Sequence, residues 1–99
     1  MSAVPGASGP PGLAKADVVV YSRPGCHLCE QAIAALLALH DEGYRFALHE
    51  VDIDSDELLL RRYLAKIPVI EVDGAVASEL VLDEDGLRAR LDTVGAWPS

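Results

Sequence analysis

The spacing of hydrophobic residues changes from segment to segment along the chain, and each spacing predicts one element. Short runs that are continuously apolar, or that alternate with polar residues, are typical of strands and occupy 18–21, 46–51, 69–72 and 75–80. Apolar residues recur every three or four positions, as in helices, over 27–40, 56–64 and 86–94. The pattern therefore predicts one domain with the element order β-α-β-α-β-β-α.

Residues that start or stop elements lie between these segments. Gly43 is placed to end the first helix, and Asp54 or Ser55 is placed to cap the second. Asp73-Gly74 between two apolar runs is a strong hairpin signal, and the acids at 83–85 suit the positive end of the last helix. A strand, a helix and a parallel strand, followed by a helix and a hairpin, form the minimal thioredoxin-like layout. We therefore predict an α/β thioredoxin-like fold whose four-stranded mixed sheet is flanked by helices.

The composition fits a single small domain preceded by a tail. Of the 99 residues, 51% are hydrophobic and only 5% aromatic, so aliphatic side chains must form most of the core. Residues 1–14 are rich in Pro, Gly, Ala and Ser and contain no charged side chain. Such a segment buries too little apolar surface to offset its ordering entropy. We predict a flexible tail over 1–15 and a folded domain over 16–97, with Trp97 anchoring the last helix.

The charge and hydropathy of the chain limit the classes of partner that it is expected to bind and indicate its cellular compartment. The net charge of −8 disfavours nucleic acid and anionic membranes, which are bound through clusters of Lys and Arg. No apolar run approaches the roughly 18–20 residues that cross a bilayer, and no basic segment followed by an apolar run opens the chain. We therefore expect a cytoplasmic protein without a nucleic-acid or membrane partner. Structural disulfides are rare in that reducing compartment, so its two cysteines are expected to be reactive.

Cys26 and Cys29 form a Cys-x-x-Cys pair where a predicted strand turns into a predicted helix. Unpaired N–H groups and the helix dipole at that helix start favour a thiolate, so the pKa of Cys26 is expected below the ordinary value of about 8.5. Cys29 lies one turn deeper on the same helix face and is expected to be less exposed. The pair therefore predicts a thiol–disulfide oxidoreductase in which Cys26 attacks and Cys29 resolves the mixed disulfide.

His27, between the two cysteines, is placed to stabilise the thiolate as an imidazolium or to act as a base. Three other interpretations of the pair stay open. It could be half of a zinc site, although His27, His40 and His49 are the only histidines available as further ligands. It could be packed and inert. It could also serve a non-catalytic binding module or a carrier that holds an iron–sulfur cluster or another soft metal between protomers.

Three segments carry a resemblance to a known family. They read YSRPGCHLCEQA at 21–32, VDIDSDEL at 51–58 and KIPVIEVDG at 66–74. They resemble the glutaredoxin-like branch of the thioredoxin superfamily, in particular small bacterial glutaredoxin-like proteins whose motif reads Cys-His-Leu-Cys. The similarity runs over about residues 17–92, with the pieces in the family's order.

The resemblance implies further site residues. Pro68 would follow a cis Ile67–Pro68 peptide bond and lie against the cysteines, and the backbone of Ile67 would pair with a bound peptide or glutathione as a strand does. Arg23 matches a position where glutaredoxins often carry a lysine, whose charge would favour the Cys26 thiolate and attract a glutathione carboxylate. Lys66 is a second candidate cation. No bound cofactor or metal is implied.

The sequence departs from the family where glutathione would bind. Glutaredoxins that use glutathione usually carry two glycines and an acidic pair after the hairpin, whereas Ser78 and Glu79 stand here in place of the glycines. Where glutaredoxins often carry an aromatic residue between the two cysteines, this chain carries Leu28. Glutathione is therefore disfavoured as the dedicated co-substrate. The expected partners are a disulfide-containing protein or a small thiol, and the protein is expected to be a monomer.

Overall fold

The computed structural model describes residues 15–96, which form four strands and three α-helices. The strands are β1 (Ala16–Ser22), β2 (Phe46–Asp52), β3 (Val69–Val72) and β4 (Ala75–Glu79). The helices are α1 (His27–Asp41), α2 (Glu57–Tyr63) and α3 (Glu84–Thr93), with a short 3₁₀ helix at Ile53–Ser55. The predicted order of elements is confirmed. Of the predicted tail, residues 1–14 lie outside the described residues, and so does Trp97.

The four strands form one mixed sheet in the order β2-β1-β3-β4. Strand β1 pairs in parallel with β2 and antiparallel with β3, and β3 pairs antiparallel with β4. A helical crossover must join β1 to its parallel neighbour, and α1 serves as that connection. The central strand β1 consequently ends at one edge of the sheet, between the end of β2 and the start of β3.

The core has one cluster of buried residues on each side of the sheet. The larger cluster joins alternate residues of β1 to the apolar stripes of α1 and α3; its members include Val18, Val20, Leu36, Leu39, Leu87 and Leu91. The smaller cluster contains Ile53, Tyr63 and Val69, with the Tyr21 ring stacked on Tyr63 at 4.4 Å between centroids. Packing on both faces explains why β1 is apolar at nearly every position.

The cap of the second helix differs from the prediction of Asp54 or Ser55. Residues 53–55 form the 3₁₀ helix, which Asp52 caps by accepting a hydrogen bond from Asp54 N at 2.9 Å. The cap of α2 is Asp56, whose Oδ1 accepts from Leu58 N at 2.8 Å. The chain therefore turns twice on successive carboxylate caps. The last strand also stops at Glu79 rather than residue 80, because Leu80 adopts a left-handed backbone with φ of 64°.

No helix within residues 15–96 is both long enough and apolar enough to cross a membrane.

The hairpin between β3 and β4 depends on two residues with positive φ, Asp73 at 51° and Gly74 at 85°. Such a pair is typical of the two-residue turn that follows the twist of a hairpin. We expect Gly74→Ala to lower the free energy of unfolding by about 1 kcal/mol, because a side chain disfavours this conformation. No atom lies within 4 Å of the position a Cβ would take, so the loss would come from the backbone alone.

Urea denaturation of the oxidised protein measures this loss, and Gly74→Asn is the matched control. Asparagine adopts positive φ more readily than alanine, so it should retain most of the stability. Equal losses in both variants would contradict the proposed role of the turn.

Arg88 of α3 binds Glu42, the C-cap of α1, through two hydrogen bonds. The Nη1–Oε1 distance is 2.6 Å and the Nη2–Oε2 distance is 3.1 Å. The hydrogen bonds from Arg88 hold the pKa of Glu42 below its usual value of 4.5. Because the pKa is lowered by folding, the pair stabilises the protein above about pH 4.5 and loses this contribution as pH falls through the folded value.

We therefore expect Glu42→Gln to be less stable than the wild type at pH 7, with the difference shrinking as the pH falls below 4.5. Thermal unfolding measured from pH 7 to pH 3 tests this. Glu57→Gln removes a looser pair with Arg61 (3.7 Å) and serves as control. A difference between Glu42→Gln and wild type that stays constant with pH would contradict the prediction.

Candidate active site

Cys26 is the N-cap of α1, so its side chain is placed to accept a hydrogen bond from the unpaired N–H groups at the start of the helix. Strand β1 stops at Ser22, and a tight turn follows in which Cys26 N donates to Arg23 O at 3.1 Å. Gly25, with φ of 79°, supplies the left-handed step that this turn requires. Cys26 has an extended backbone, and its Sγ accepts a hydrogen bond from Cys29 N at 3.2 Å. The cysteine sulfur thus takes the place that a serine or aspartate oxygen takes at other helix starts.

Cys26 and Cys29 are joined by a disulfide, with 5.2 Å between their Cα atoms. Cys29 is buried, with 1% of its surface exposed, whereas Cys26 is partly exposed. The difference in exposure predicted from the spacing is therefore present. Cys26 is therefore the cysteine of the pair that solvent reaches, and Cys29 is covered by the surrounding chain.

Pro68 lies at the same edge of the sheet as the cysteine turn. Val69, the next residue, pairs with Tyr21 near the end of β1, and the Ile67–Pro68 peptide bond is cis. Pro68 is fully buried, Ile67 is partly buried and Lys66 is exposed. The N–H of Ile67 donates to Tyr63 O at 3.0 Å. In a strand-like pairing with a substrate, Ile67 would therefore contribute its carbonyl oxygen as a hydrogen-bond acceptor.

The two predicted charged neighbours of the cysteines are placed differently. Arg23 lies beside both cysteines, but its Nε is 3.0 Å from Asp54 Oδ1, so its charge is already compensated. The side chain of His27 is 81% exposed and points along the helix surface, with its Nε2 3.1 Å from Gln31 Nε2. Its Nδ1 lies 3.9 Å from Glu30 Oε1. Arg23 therefore belongs to the surroundings of the sulfurs, and His27 lies on the solvent side of α1.

A cavity of about 180 Å³ lies behind the cysteines, between the carboxyl ends of β1 and β2 and the first two turns of α1. Besides Cys26, Cys29 and Arg23, its lining includes Ser22, Glu30, Ile33, Glu50 and Asp52. The prediction from sequence missed Glu50 and Asp52. A signal existed, since parallel strands end at one edge and the sequence ends the second strand in Glu50-Val51-Asp52.

Residues 17–92 match the family described as Glutaredoxin-like domain (DUF836). The chain belongs to this family. The solution NMR structure of protein Ne2328 from Nitrosomonas europaea is 36% identical and has a TM-score of 0.67, with 76% of this chain and 89% of that chain covered. The glutaredoxin-like resemblance predicted from the sequence is confirmed.

Two further structures extend the comparison. The X-ray structure of protein XcR50 from X. campestris is 36% identical, covers 77% of this chain and 96% of its own, and has a TM-score of 0.60. A mutant thioredoxin from Halobacterium salinarum NRC-1 is 21% identical, with 87% of this chain and 77% of that chain covered and a TM-score of 0.52. The thioredoxin likeness supports the fold alone. No match was found among curated proteins.

At residues 78–82, where β4 ends and the chain turns toward α3, polar groups near Pro68 are hydrogen-bonded within the chain. The buried Ser78 hydroxyl donates to Val81 O at 3.0 Å and accepts from Asp83 N at 3.2 Å. The N–H of Leu80 is 3.0 Å from both Lys66 O and Pro68 O. These backbone and hydroxyl groups are therefore occupied within the chain. The side chains of Leu28, Leu80 and Val81 are exposed instead and line an apolar groove.

Removing one partner of the Arg23–Asp54 pair at a time is expected to change the reactivity of Cys26 in opposite directions. In Arg23→Gln the Asp54 charge is uncompensated, so the pKa of Cys26 rises and alkylation of the reduced protein at pH 7 slows. In Asp54→Asn the Arg23 charge is uncompensated, so alkylation becomes faster. The change should be about two- to fivefold, as for an exposed ion pair of about 0.5–1 kcal/mol.

Iodoacetamide alkylation followed against pH measures both variants at low ionic strength. Arg61→Gln removes an exposed cation of α2 that pairs with Glu57, and it should leave the rate unchanged. If both site variants moved the rate in the same direction, a field effect of this pair on the sulfur would be excluded.

Proposed function

We propose that this glutaredoxin-like domain is a thiol–disulfide oxidoreductase that cycles between a Cys26–Cys29 disulfide and a dithiol. One observation carries the proposal: the two cysteines form a disulfide at the N-terminus of α1, with one sulfur accessible and the other buried. This arrangement separates an attacking thiolate from a resolving thiol. An inert or purely structural pair requires neither the helix start nor the difference in exposure.

In the first step the reduced Cys26 attacks one sulfur of a substrate disulfide as a thiolate. A Cys26–substrate disulfide forms, the substrate's own disulfide breaks, and one substrate sulfur leaves as a thiolate that takes a proton from solvent. The N–H of Cys29 stabilises the Cys26 thiolate through the same hydrogen bond that caps the helix, at 3.2 Å in the oxidised protein.

In the second step Cys29 loses its proton and attacks Cys26 Sγ. The internal disulfide forms, the mixed disulfide breaks, and the second substrate sulfur leaves as a thiolate. The substrate has gained two electrons and two protons, and the Cys26–Cys29 pair has lost them. A separate thiol donor must then reduce the pair for another turnover.

We propose a dithiol protein, rather than glutathione, as that donor. The backbone that would hold the glutathione carboxylate is occupied by the bonds of Ser78 and Leu80, and the exposed Glu79 adds negative charge at this edge. The groove lined by Leu28, Leu80 and Val81 suits apolar segments of a protein better than a charged tripeptide. Disulfide-containing proteins are the corresponding proposed substrates, with small thiols as secondary partners.

The protein is proposed to act as a monomer in the cytoplasm. Both cysteines and the cavity behind them come from one chain, so the chemistry needs no second copy. A carrier that holds a metal or cluster through Cys26 is the weaker alternative, because the disulfide engages both sulfurs. Within residues 15–96, moreover, no group of three or more His, Cys, Asp or Glu side chains is placed to hold a metal ion.

Serine substitutions should separate the roles of the two cysteines. We expect Cys26→Ser to lower turnover of a mixed disulfide to the rate without protein, because the accessible nucleophile is lost. Cys29→Ser should still react once, and it should accumulate a covalent Cys26–substrate disulfide with a protein substrate. Spectrophotometric turnover and mass spectrometry of the trapped adduct measure these outcomes.

The chain contains only these two cysteines, so each adduct has an unambiguous position. Running the assay with glutathione and with a thioredoxin system as alternative donors separates the two reductants. Undiminished turnover by Cys26→Ser would refute the proposed function. We expect anaerobic purification to yield a colourless monomer, a result that would argue against a carrier of a metal or cluster.

A further inference from the structure

Helix α2 lies along the edge of the sheet that carries the cysteine turn. Strand β2 is parallel to β1 and ends at this edge, and β3 is antiparallel to β1 and starts there. The connection between β2 and β3 contains α2, so it leaves and rejoins the sheet at the same edge. Tyr63, the last residue of α2, stacks on Tyr21 of β1, and the Arg23–Asp54 pair joins the cysteine turn to this connection. A protein that presents a sulfur to Cys26 therefore also comes close to α2.

Three side chains form a line along the solvent side of α2. Tyr63 packs in the smaller core cluster, so the opposite side of the helix faces solvent. Leu58, Arg62 and Lys66 are spaced by four residues and are all exposed, Leu58 by 74%. The hydrogen bond from Ile67 N to Tyr63 O, at 3.0 Å, continues the helical spacing as far as Lys66. We call Leu58, Arg62 and Lys66 the α2 stripe.

The two cations of the α2 stripe have no carboxylate partner. The chain contains 16 Asp and Glu and only 8 Lys and Arg, so carboxylates are plentiful. Three arginines of the domain are paired with them, namely Arg23, Arg61 and Arg88. Within residues 15–96, neither Arg62 nor Lys66 forms an ion pair; the Arg62 guanidinium lies 5.5 Å from the centroid of the Tyr63 ring. Both charges are therefore available to a ligand.

The α2 stripe stands out because the chain as a whole is acidic. Residues 58–70 contain three Lys and Arg and no Asp or Glu, whereas the net charge of the chain is −8. Glu57 at the start of α2 is engaged by Arg61, and the exposed Glu79 of β4 pairs with neither cation of the stripe. The net charge repels a polyanion such as nucleic acid or an anionic membrane over a wide area. A short acidic segment of a protein presents few charges, and the stripe compensates them.

We propose that the α2 stripe binds carboxylate side chains in the protein segment that carries the substrate disulfide; this specificity rests on the oxidoreductase function proposed above. An extended segment that pairs with the carbonyl of Ile67 passes Lys66, the preceding residue. Lys66 then binds a carboxylate close to the substrate cysteine, and Arg62 binds one about a helical turn farther away. Leu58 offers apolar area that a protein segment covers and that a small anion does not reach.

Three synthetic peptides test this preference. Each carries one cysteine as a mixed disulfide with 2-thiopyridine, and the residues on both sides of the cysteine are glutamates, glutamines or lysines. Attack of reduced Cys26 on the peptide sulfur releases 2-thiopyridone, and its absorbance gives a second-order rate constant at low ionic strength. We expect the glutamate peptide to react about two- to fivefold faster than the glutamine peptide, and the lysine peptide to react slowest. The net charge of the protein alone predicts the reverse order.

Matched variants locate the effect on the stripe. Lys66→Gln and Arg62→Gln should each lower the ratio of the glutamate to the glutamine rate, and this ratio cancels any change in the reactivity of Cys26 itself. Lys15→Gln removes the same charge from an exposed lysine just before β1, at the opposite edge of the sheet, and should preserve the ratio. A wild-type ratio of one or less would refute the proposal, as would equal losses in Lys15→Gln and Lys66→Gln.

Two further measurements separate a protein segment from other anions. Glutathionyl 2-pyridyl disulfide is a small anion, so Arg62→Gln should leave its rate unchanged. A loss equal to that seen with the glutamate peptide would overturn the proposal in favour of a general anion site. Sedimentation with phosphatidylserine vesicles that Arg62→Gln abolishes would overturn it in favour of a lipid surface.

The same reactions distinguish this proposal from the function on which it rests. A wild-type protein that releases no thiopyridone from any of the peptides would refute the oxidoreductase function. Release from all three peptides at equal rates would refute only the role of the α2 stripe.

Discussion

The hydrogen bond from Cys29 N to Cys26 Sγ connects the fold of this protein to its proposed chemistry. Every α-helix begins with N–H groups that lack partners, and here a cysteine sulfur takes one of them at 3.2 Å. The same contact fixes the start of α1 and stabilises negative charge on the outer sulfur. A thiolate accepts this bond more strongly than a neutral sulfur does, so reduction strengthens the cap while it removes the cross-link.

The position of β1 in the middle of the sheet brings the remaining parts of the site together. Because β1 is parallel to β2 and antiparallel to β3, its end meets the end of one neighbour and the start of the other. The cysteine turn, the carboxylates of β2 and Pro68 consequently share one edge, although the sequence separates them by up to about forty residues. The two buried clusters hold the strand from both faces and so keep this edge in place.

The parts that sequence predicted are those encoded by local patterns. The alternation and helical spacing of apolar residues gave the order of elements, and the Cys-x-x-Cys spacing gave the difference in exposure. Glu50 and Asp52 were missed because their role depends on the register of strands that are distant in sequence. The Arg23–Asp54 pair joins two loops and has no local signal. Leu80 was missed as a left-handed residue because bonds to Lys66 and Pro68, rather than its own preference, impose that conformation.

The negative charges around the sulfurs oppose the stabilisation that the start of α1 gives to a Cys26 thiolate. The N-terminus of α1 favours a thiolate at Cys26, whereas Glu30, Glu50 and Asp52 line the cavity behind it and disfavour added negative charge. Arg23 does not restore the balance, because Asp54 compensates it. When the thiolate is stabilised less, the reduced pair becomes less stable relative to the disulfide. Such a pair gives up its electrons more readily. The acidic lining of the cavity therefore favours the reducing direction of the proposed thiol–disulfide exchange over the oxidising one.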